Sequence, residues 1–202
     1  MKIKINKQDF YEGIQTVKKA VSSKSNLPIL SGILLETEDG QLKLVGTDLE
    51  LGIECKVEAN IITEGAVVLP ANHLANIIRE LPNEELVLDT NQEDNRTEIT
   101  CDLSQFKINS SPADEFPLLP EVESNTECTL PQTEFKKIIN RTKFATSNDE
   151  SRPFLTGGLL FLNEQELKMV ATDSYRLAYS EYKLNHNFST KKAIIPSKTL
   201  NE

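Results

Sequence analysis

Two Thr-Asp pairs, Thr47-Asp48 and Thr172-Asp173, come closest in this sequence to acid–base or metal chemistry. A carboxylate beside a hydroxyl can accept a proton or ligate a cation. Each pair, however, closes a strand-like apolar run, where Thr and Asp side chains commonly bond the amides of a turn. One structural role used twice accounts for both pairs. Asp173 with Arg176 could serve a hydrolase, yet no nucleophile accompanies them. Asp114-Glu115 stands before Phe116-Pro117 and reads as the close of a unit, not as a paired-carboxylate site. His186 lies in a polar Asn-His-Asn loop, and His73 sits near a helix start with no nucleophile beside it. Cys55, Cys101 and Cys128 are too far apart in sequence for a zinc site. Cys55 and Cys101 alternate with apolar neighbours as buried free thiols do. The chain has neither a G-x-S-x-G turn, nor a phosphate-binding P-loop, nor a Gly-rich dinucleotide turn. It reads as a non-enzyme with no cofactor and no metal.

The spacing of the Thr-Asp pairs leads to the elements that carry them. Pro28-Ile-Leu-Ser-Gly-Ile-Leu-Leu35 matches Pro153-Phe-Leu-Thr-Gly-Gly-Leu-Leu160, and Gln41-Leu-Lys-Leu-Val-Gly-Thr-Asp48 matches Glu166-Leu-Lys-Met-Val-Ala-Thr-Asp173, both at an offset of 125. Phe10 and Ala20 pair with Phe135 and Ala145 at the same offset. Val68 to Leu74 pairs with Ile194 to Leu200 at 126. A register held over that span is a tandem duplication.

Each unit alternates strand and helix periods. The first predicts strand 1–5 and a helix over 8–21 with Phe10, Ile14, Val17 and Val21 on one face. Strands follow at 33–37, 41–46, 50–59 and 66–69, with Asp39-Gly40 as a hairpin turn. A second helix over 71–81 buries Leu74, Ile77, Ile78 and Leu81, and strands at 85–89, 97–102 and 105–109 close the unit. The second unit predicts strand 126–130, helix 132–144, and strands 157–163, 166–172, 176–183 and 191–195. The fold class is α+β: two tandem units, 1–125 and 126–202, each a β-sheet layer with two amphipathic helices. The second unit reads as cut short inside its second helix, as in a fragment of a longer chain.

Hydrophobic residues at 38% and charged residues at 26% describe a globular chain rather than a disordered one. No apolar run approaches the roughly 20 residues of a membrane span, and the N-terminus lacks the apolar block of a secretory signal, so a cytoplasmic location is expected. The formal net charge of −9 argues against a basic footprint for nucleic acid unless the charge is segregated. Lys18, Lys19, Arg79, Lys136, Lys137, Arg141 and Lys143 fall on or beside exposed helix faces, whereas Glu36, Glu38, Asp39, Glu84, Glu85 and Asp89 fall on strands and loops. The same pattern fits ordinary solvated helix faces equally well.

Leu27-Pro-Ile-Leu30, Gly46-Thr-Asp-Leu-Glu50, Ala113-Asp-Glu-Phe-Pro117, Arg152-Pro153 and Val170-Ala-Thr-Asp-Ser-Tyr-Arg-Leu177 together resemble the bacterial DNA sliding clamps, the beta-subunit family of DNA polymerase III. The resemblance runs over all 202 residues. It implies three such units per subunit and a ring of two subunits, with helices lining the hole and sheets outside. The partners implied are double-stranded DNA without sequence preference, the polymerase III catalytic subunit, the clamp loader, other proteins with a clamp-binding motif, and a second copy. DNA contacts carry over to Lys24, His73, Arg152 and Phe154; Asp149 in that segment has the wrong sign for phosphate. Lys198 falls at a helix start beside the bore, and Arg79, Lys137 and Arg141 join the DNA-binding set from the helical wheel. A pocket for hydrophobic partner peptides carries over to Leu155, Thr172, Tyr175, Arg176 and Leu177, and the subunit interface to Leu74, Ile78 and Phe106. Leu155 and Leu177 also fit plain core positions. A scaffold that shares the repeat without encircling DNA is the competing reading.

Overall fold

Asn6 both ends strand β1 (Lys2–Asn6) and caps helix α1 (Lys7–Lys18). Its side chain accepts the N–H groups of Gln8 at 2.8 Å and Asp9 at 3.3 Å, satisfying two of the donors a helix start leaves free. The helix therefore begins one residue before the expected start, and it ends at Lys18 rather than Val21. Phe10, Ile14 and Val17 are fully buried, as their spacing requires. The computed structural model describes residues 1–22, 27–91, 94–120 and 127–202. The chain divides into two units, Met1–Glu121 and Val122–Glu202. The boundary expected at 125/126 falls on residues outside those described.

After a 3-10 turn at Pro28–Ser31, the first unit continues with β2 (Gly32–Glu38), β3 (Gln41–Thr47), β4 (Gly52–Glu58), β5 (Asn60–Thr63) and β6 (Ala66–Pro70). Helix α2 (Ala71–Glu80) and strands β7 (Glu85–Asn91), β8 (Arg96–Cys101) and β9 (Ser104–Asn109) complete it. Two antiparallel sheets result, in the orders β5-β1-β7-β8-β9 and β4-β3-β2-β6. The expected strand 50–59 is shorter, because Glu50 and Leu51 belong to the turn that Asp48 holds. Asn60–Thr63 forms a separate strand that pairs with β1.

One core draws Ile3, Ile5, Leu86, Leu88 and Ile99 from the first sheet and Ile33, Leu35, Leu42, Leu44 and Leu69 from the second. Phe10 and Ile14 of α1 and Leu74 and Ile78 of α2 fill its centre. At Gly46 helix α1 comes so close that a Cβ would meet the Val17 carbonyl. Leu74 and Ile78 have no exposed surface at all, which corrects the expectation that they face another subunit. The i, i+4 stripe that marks them as apolar points into their own unit, against β2, β6 and β9.

Strand alternation turns Leu34, Val45 and Val68 to the opposite face of the β4-β3-β2-β6 sheet, away from that core. Phe116 covers them and is itself buried. Ser111 exchanges backbone hydrogen bonds with Val68 at 3.0 and 2.9 Å, and a 3-10 turn at Ala113–Glu115 leads to Phe116. The Asp-Glu-Phe-Pro run thus closes the first unit, as its sequence suggests.

In the second unit, residues 127–130 form no strand, a departure from the expected strand 126–130, whose Thr126 lies outside the described residues. Its counterpart β1 is held between β5 and β7, and a counterpart of β7 does not occur among the described residues of this unit. Helix α3 (Gln132–Thr142) buries Ile138 and Thr142 and half-buries Phe135 and Ile139. Strands β10 (Gly157–Thr172) and β11 (Leu177–Pro196) replace four expected strands, and α4 (Ser197–Asn201) follows. They pair in two ladders, Gly157–Leu162 with Lys191–Pro196 and Glu166–Thr172 with Leu177–Lys183, with register shifts around Glu164. These ladders are the repeat equivalents of β2 with β6 and β3 with β4. In the first unit Asp39 and Gly40 both take positive φ and break the chain into two strands; at the equivalent turn of the second, Glu164 does and Gln165 does not. Leu200 joins Ile138, Leu162, Leu167 and Met169 in the core, the place its counterpart Leu74 holds in the first unit.

Candidate functional site

The two Thr-Asp turns have the same construction. Thr47 Oγ1 accepts the Leu49 N–H at 3.0 Å, and Asp48 Oδ1 accepts those of Glu50 at 3.1 Å and Leu51 at 2.8 Å. Thr172 Oγ1 accepts the Ser174 N–H at 3.2 Å, and Asp173 Oδ1 accepts those of Tyr175 and Arg176, both at 3.0 Å. Leu49 and its counterpart Ser174 both take positive φ, 75° and 78°. These carboxylates are committed to backbone amides, so the turn-forming reading of the pairs holds. The amides of Tyr175 and Arg176, then the Arg176 side chain, hold the Asp173 carboxyl below its ordinary pKa.

The second turn carries extra side-chain ties. Arg176 Nε donates to Asp173 Oδ2 at 3.0 Å, and its guanidinium lies 5.6 Å from the Phe144 ring centroid. Thr172 Oγ1 donates to the Arg176 carbonyl at 2.7 Å. Arg152 reaches across from the preceding loop, donating to Ser174 Oγ at 3.0 Å and to Asp149 Oδ2 at 3.3 Å. Leu155 and Thr172 are half-buried, Leu177 is 67% exposed and Tyr175 is 96% exposed. The structure therefore gathers four of the five expected pocket residues, Thr172 and Tyr175 to Leu177, on one pinned turn. Leu155 stands on the loop that Arg152 ties to it. Leu177 does not have the burial of a core residue. An exposed tyrosine and leucine on a rigid turn offer apolar contact at low ordering cost, and they provide no reacting group.

The residues expected to face DNA are spread over both units, and each is described in its own. In the first, His73 and Arg79 lie exposed on α2, and Arg79 pairs with Glu80 at 2.8 Å. Lys24 lies outside the described residues. In the second, Lys137 and Arg141 are exposed on α3, with Lys137 paired to Glu134 at 2.6 Å. Phe154 is largely exposed, and Lys198 is exposed on α4. Arg152 is engaged with Ser174 of the Thr172–Leu177 turn and with Asp149 instead of standing free towards a phosphate. Of the expected interface residues, only Phe106 on strand β9 has surface to offer, at 40% exposure.

Sequence reasoning missed Phe144, Ser174 and Asp149 as supports of the turn. Phe144 carried a signal, since it is an aromatic residue beyond the apolar stripe of α3. The Arg152–Ser174 bond spans 22 residues and left none. Among the described residues, no three His, Cys, Asp or Glu side chains gather as metal ligands.

Comparison with known proteins decides the family. The description "DNA polymerase III beta subunit, N-terminal domain" matches residues 1–120, and "DNA polymerase III beta subunit, central domain" matches residues 129–202. The chain belongs to the DNA polymerase III beta subunit family. It is 37% identical to the beta sliding clamp of Staphylococcus epidermidis and 36% identical to that of Staphylococcus aureus, with all of this chain covered and 55% of each relative. The crystal structure of the Bacillus subtilis DNA polymerase sliding clamp superposes with a TM-score of 0.94 at 33% identity, over 100% of this chain and 55% of that one. A Pseudomonas aeruginosa sliding clamp bound to griselimycin gives 0.92 at 29% identity, again over 100% and 55%. The chain thus spans about 55% of the length of these relatives. The α+β architecture of the family is the one seen here.

Proposed function

We propose that this chain is part of a processivity clamp, which closes around duplex DNA and tethers replicative and repair polymerases to it. The observation that carries the proposal is the match of both units, in order, to the N-terminal and central domains of the DNA polymerase III beta subunit. The named sliding-clamp relatives support the same reading. The protein catalyses no reaction and acts in the cytoplasm; no helix among the described residues is long and apolar enough to cross a membrane. Its partners are double-stranded DNA, the polymerase III catalytic subunit, the clamp loader and other proteins with a clamp-binding peptide.

In this mechanism Lys24, His73, Arg79, Lys137, Arg141, Phe154 and Lys198 line the DNA path, and the cationic and N–H-bearing side chains among them meet phosphates without reading bases. Contacts of that kind are individually weak, which permits sliding, while closure of the ring prevents escape. A net charge of −9 is compatible with this, since phosphate needs a local basic surface and not a basic protein. The turn of Thr172, Tyr175, Arg176 and Leu177, with Leu155, takes the apolar side chains of partner peptides. Phe106 contributes to the contact between subunits of a homodimeric ring.

Charge reversal in the full-length protein tests the proposal. Lys137→Glu with Arg141→Glu is expected to abolish clamp-loader-dependent processive synthesis while peptide binding at the Tyr175 turn persists. Unchanged processivity would favour the scaffold reading.

A further inference from the structure

Each arginine of the Thr172–Leu177 turn and of the loop that supports it is matched by its own carboxylate. Arg176 Nε meets Asp173 Oδ2 at 3.0 Å and Arg152 Nη2 meets Asp149 Oδ2 at 3.3 Å, the carboxylate lying three residues upstream in both pairs. The Tyr175 amide and then the Arg176 amide lower the Asp173 pKa, and the Ser151 side chain and then its amide lower that of Asp149. Both carboxylates therefore stay ionised at neutral pH. Residues 143–155 carry Lys143 and Arg152 against Asp149 and Glu150, and residues 172–177 carry Arg176 against Asp173. Each segment has no net charge, on a chain of −9.

This pairing decides what Arg176 can recognise. The bond to Asp173 uses Nε alone, and Nη1 and Nη2 make no hydrogen bond among the described residues. The Phe144 ring lies against the guanidinium, its centroid 5.6 Å away, and the Thr172 hydroxyl fixes the backbone carbonyl of Arg176 at 2.7 Å. A guanidinium held in this way offers directed N–H donors whose charge is already offset. A carboxylate gains little there over a neutral carbonyl, because Asp173 repels it much as Arg176 attracts it, and it gives up more hydration.

We propose that the Tyr175 turn is a charge-balanced donor site: Arg176, pinned between Asp173 and Phe144, donates to a main-chain carbonyl of an apolar peptide and does not select a carboxylate. The inference rests on the peptide-binding reading of this turn and specifies what the peptide must present, a free carbonyl beside its apolar side chains.

Isothermal titration calorimetry of the full-length protein tests it with two peptides of the clamp-binding segment of the polymerase III catalytic subunit, capped at both ends. In one, every Asp and Glu is replaced by Asn and Gln; in the other, a single Asp stands beside the apolar residues. Wild type is expected to bind the two within about threefold of each other at low salt. Asp173→Asn keeps an oxygen for the turn amides and leaves the Arg176 charge unmatched. It should raise the preference for the acidic peptide about fivefold, as for unit charges about 4 Å apart in water, and about 0.5 M salt should remove that gain. The ratio of the two affinities cancels any general weakening, so a merely structural role for Asp173 would leave it flat. Phe144→Leu keeps apolar bulk without a ring and should weaken the neutral peptide about two- to fivefold, whereas Phe144→Tyr should match wild type. In an Arg176→Ala background, Phe144→Leu should have no effect. A wild-type preference for the acidic peptide beyond about threefold, an unchanged ratio in Asp173→Asn, or a Phe144→Leu loss that persists without Arg176 would overturn the proposal. Absence of binding to wild type, or binding that survives Leu177→Asp, would instead overturn the peptide-binding reading on which it rests.

Discussion

Ile78→Ala distinguishes a core residue from a subunit contact. The substitution removes three carbons from a side chain with no exposed surface. At about 0.8 kcal/mol per buried methylene-sized group, lost transfer energy is about 2.4 kcal/mol, and the cavity left between α2 and the sheets raises the cost to about 3–4 kcal/mol. A unit of this size unfolds in urea with a slope of about 1.5–2 kcal/mol/M, so the midpoint should fall by about 2 M. Urea titration followed by circular dichroism measures it, with light scattering to establish the mass. Phe106→Ala is the control: the side chain is 40% exposed on β9, and its midpoint should move by less than about 0.7 M. A midpoint for Ile78→Ala within about 0.3 M of wild type, together with weakened self-association, would refute the core assignment and return Ile78 to the interface.

Glu38 on β2 offers a pH-dependent check. Hydrogen bonds from Lys43 and then Lys56 lower its pKa to about 2. Its folded pKa lies below its unfolded value, so its stabilisation is complete above about pH 4.3 and is lost as pH falls towards 2. Carboxyl NMR should find Glu38 still ionised at pH 3; titration near pH 4.3 would contradict the bridged geometry. Arg152→Ala frees Ser174 and Asp149. We expect peptide affinity at the Tyr175 turn to fall several-fold while retention on DNA is unchanged. The opposite pattern would restore Arg152 to the DNA path.

Much of this molecule was legible because duplication wrote it twice. Apolar periodicity placed most of the strands and both helices of the first unit, and the 125-residue offset paired the Thr-Asp turns, whose geometry repeats to within a few tenths of an ångström. Periodicity marks Leu74 and Ile78 as apolar but cannot say what they pack against, and here it is their own sheets. β5 escaped notice because Asn60-Ile-Ile-Thr63 is too short for an alternation signal and is defined by its pairing with β1. The Asp114-Glu-Phe-Pro117 run reads in sequence as the close of the first unit; only the contact of Phe116 with Leu34, Val45 and Val68, distant in sequence, reveals a cover. At the Thr172–Leu177 turn, the family resemblance pointed to Tyr175 and Leu177, whereas the support from Arg152 and Phe144 depends on tertiary placement.

The most direct test of the clamp proposal is retention of the full-length protein, loaded by its clamp loader onto nicked circular DNA, before and after linearisation. Retention on the circle with rapid loss from the linear form, at a salt concentration that leaves the circular complex intact, is the predicted result. Equal retention on both would contradict a topological link and leave only electrostatic binding, and no retention on either would favour a scaffold that never encircles DNA.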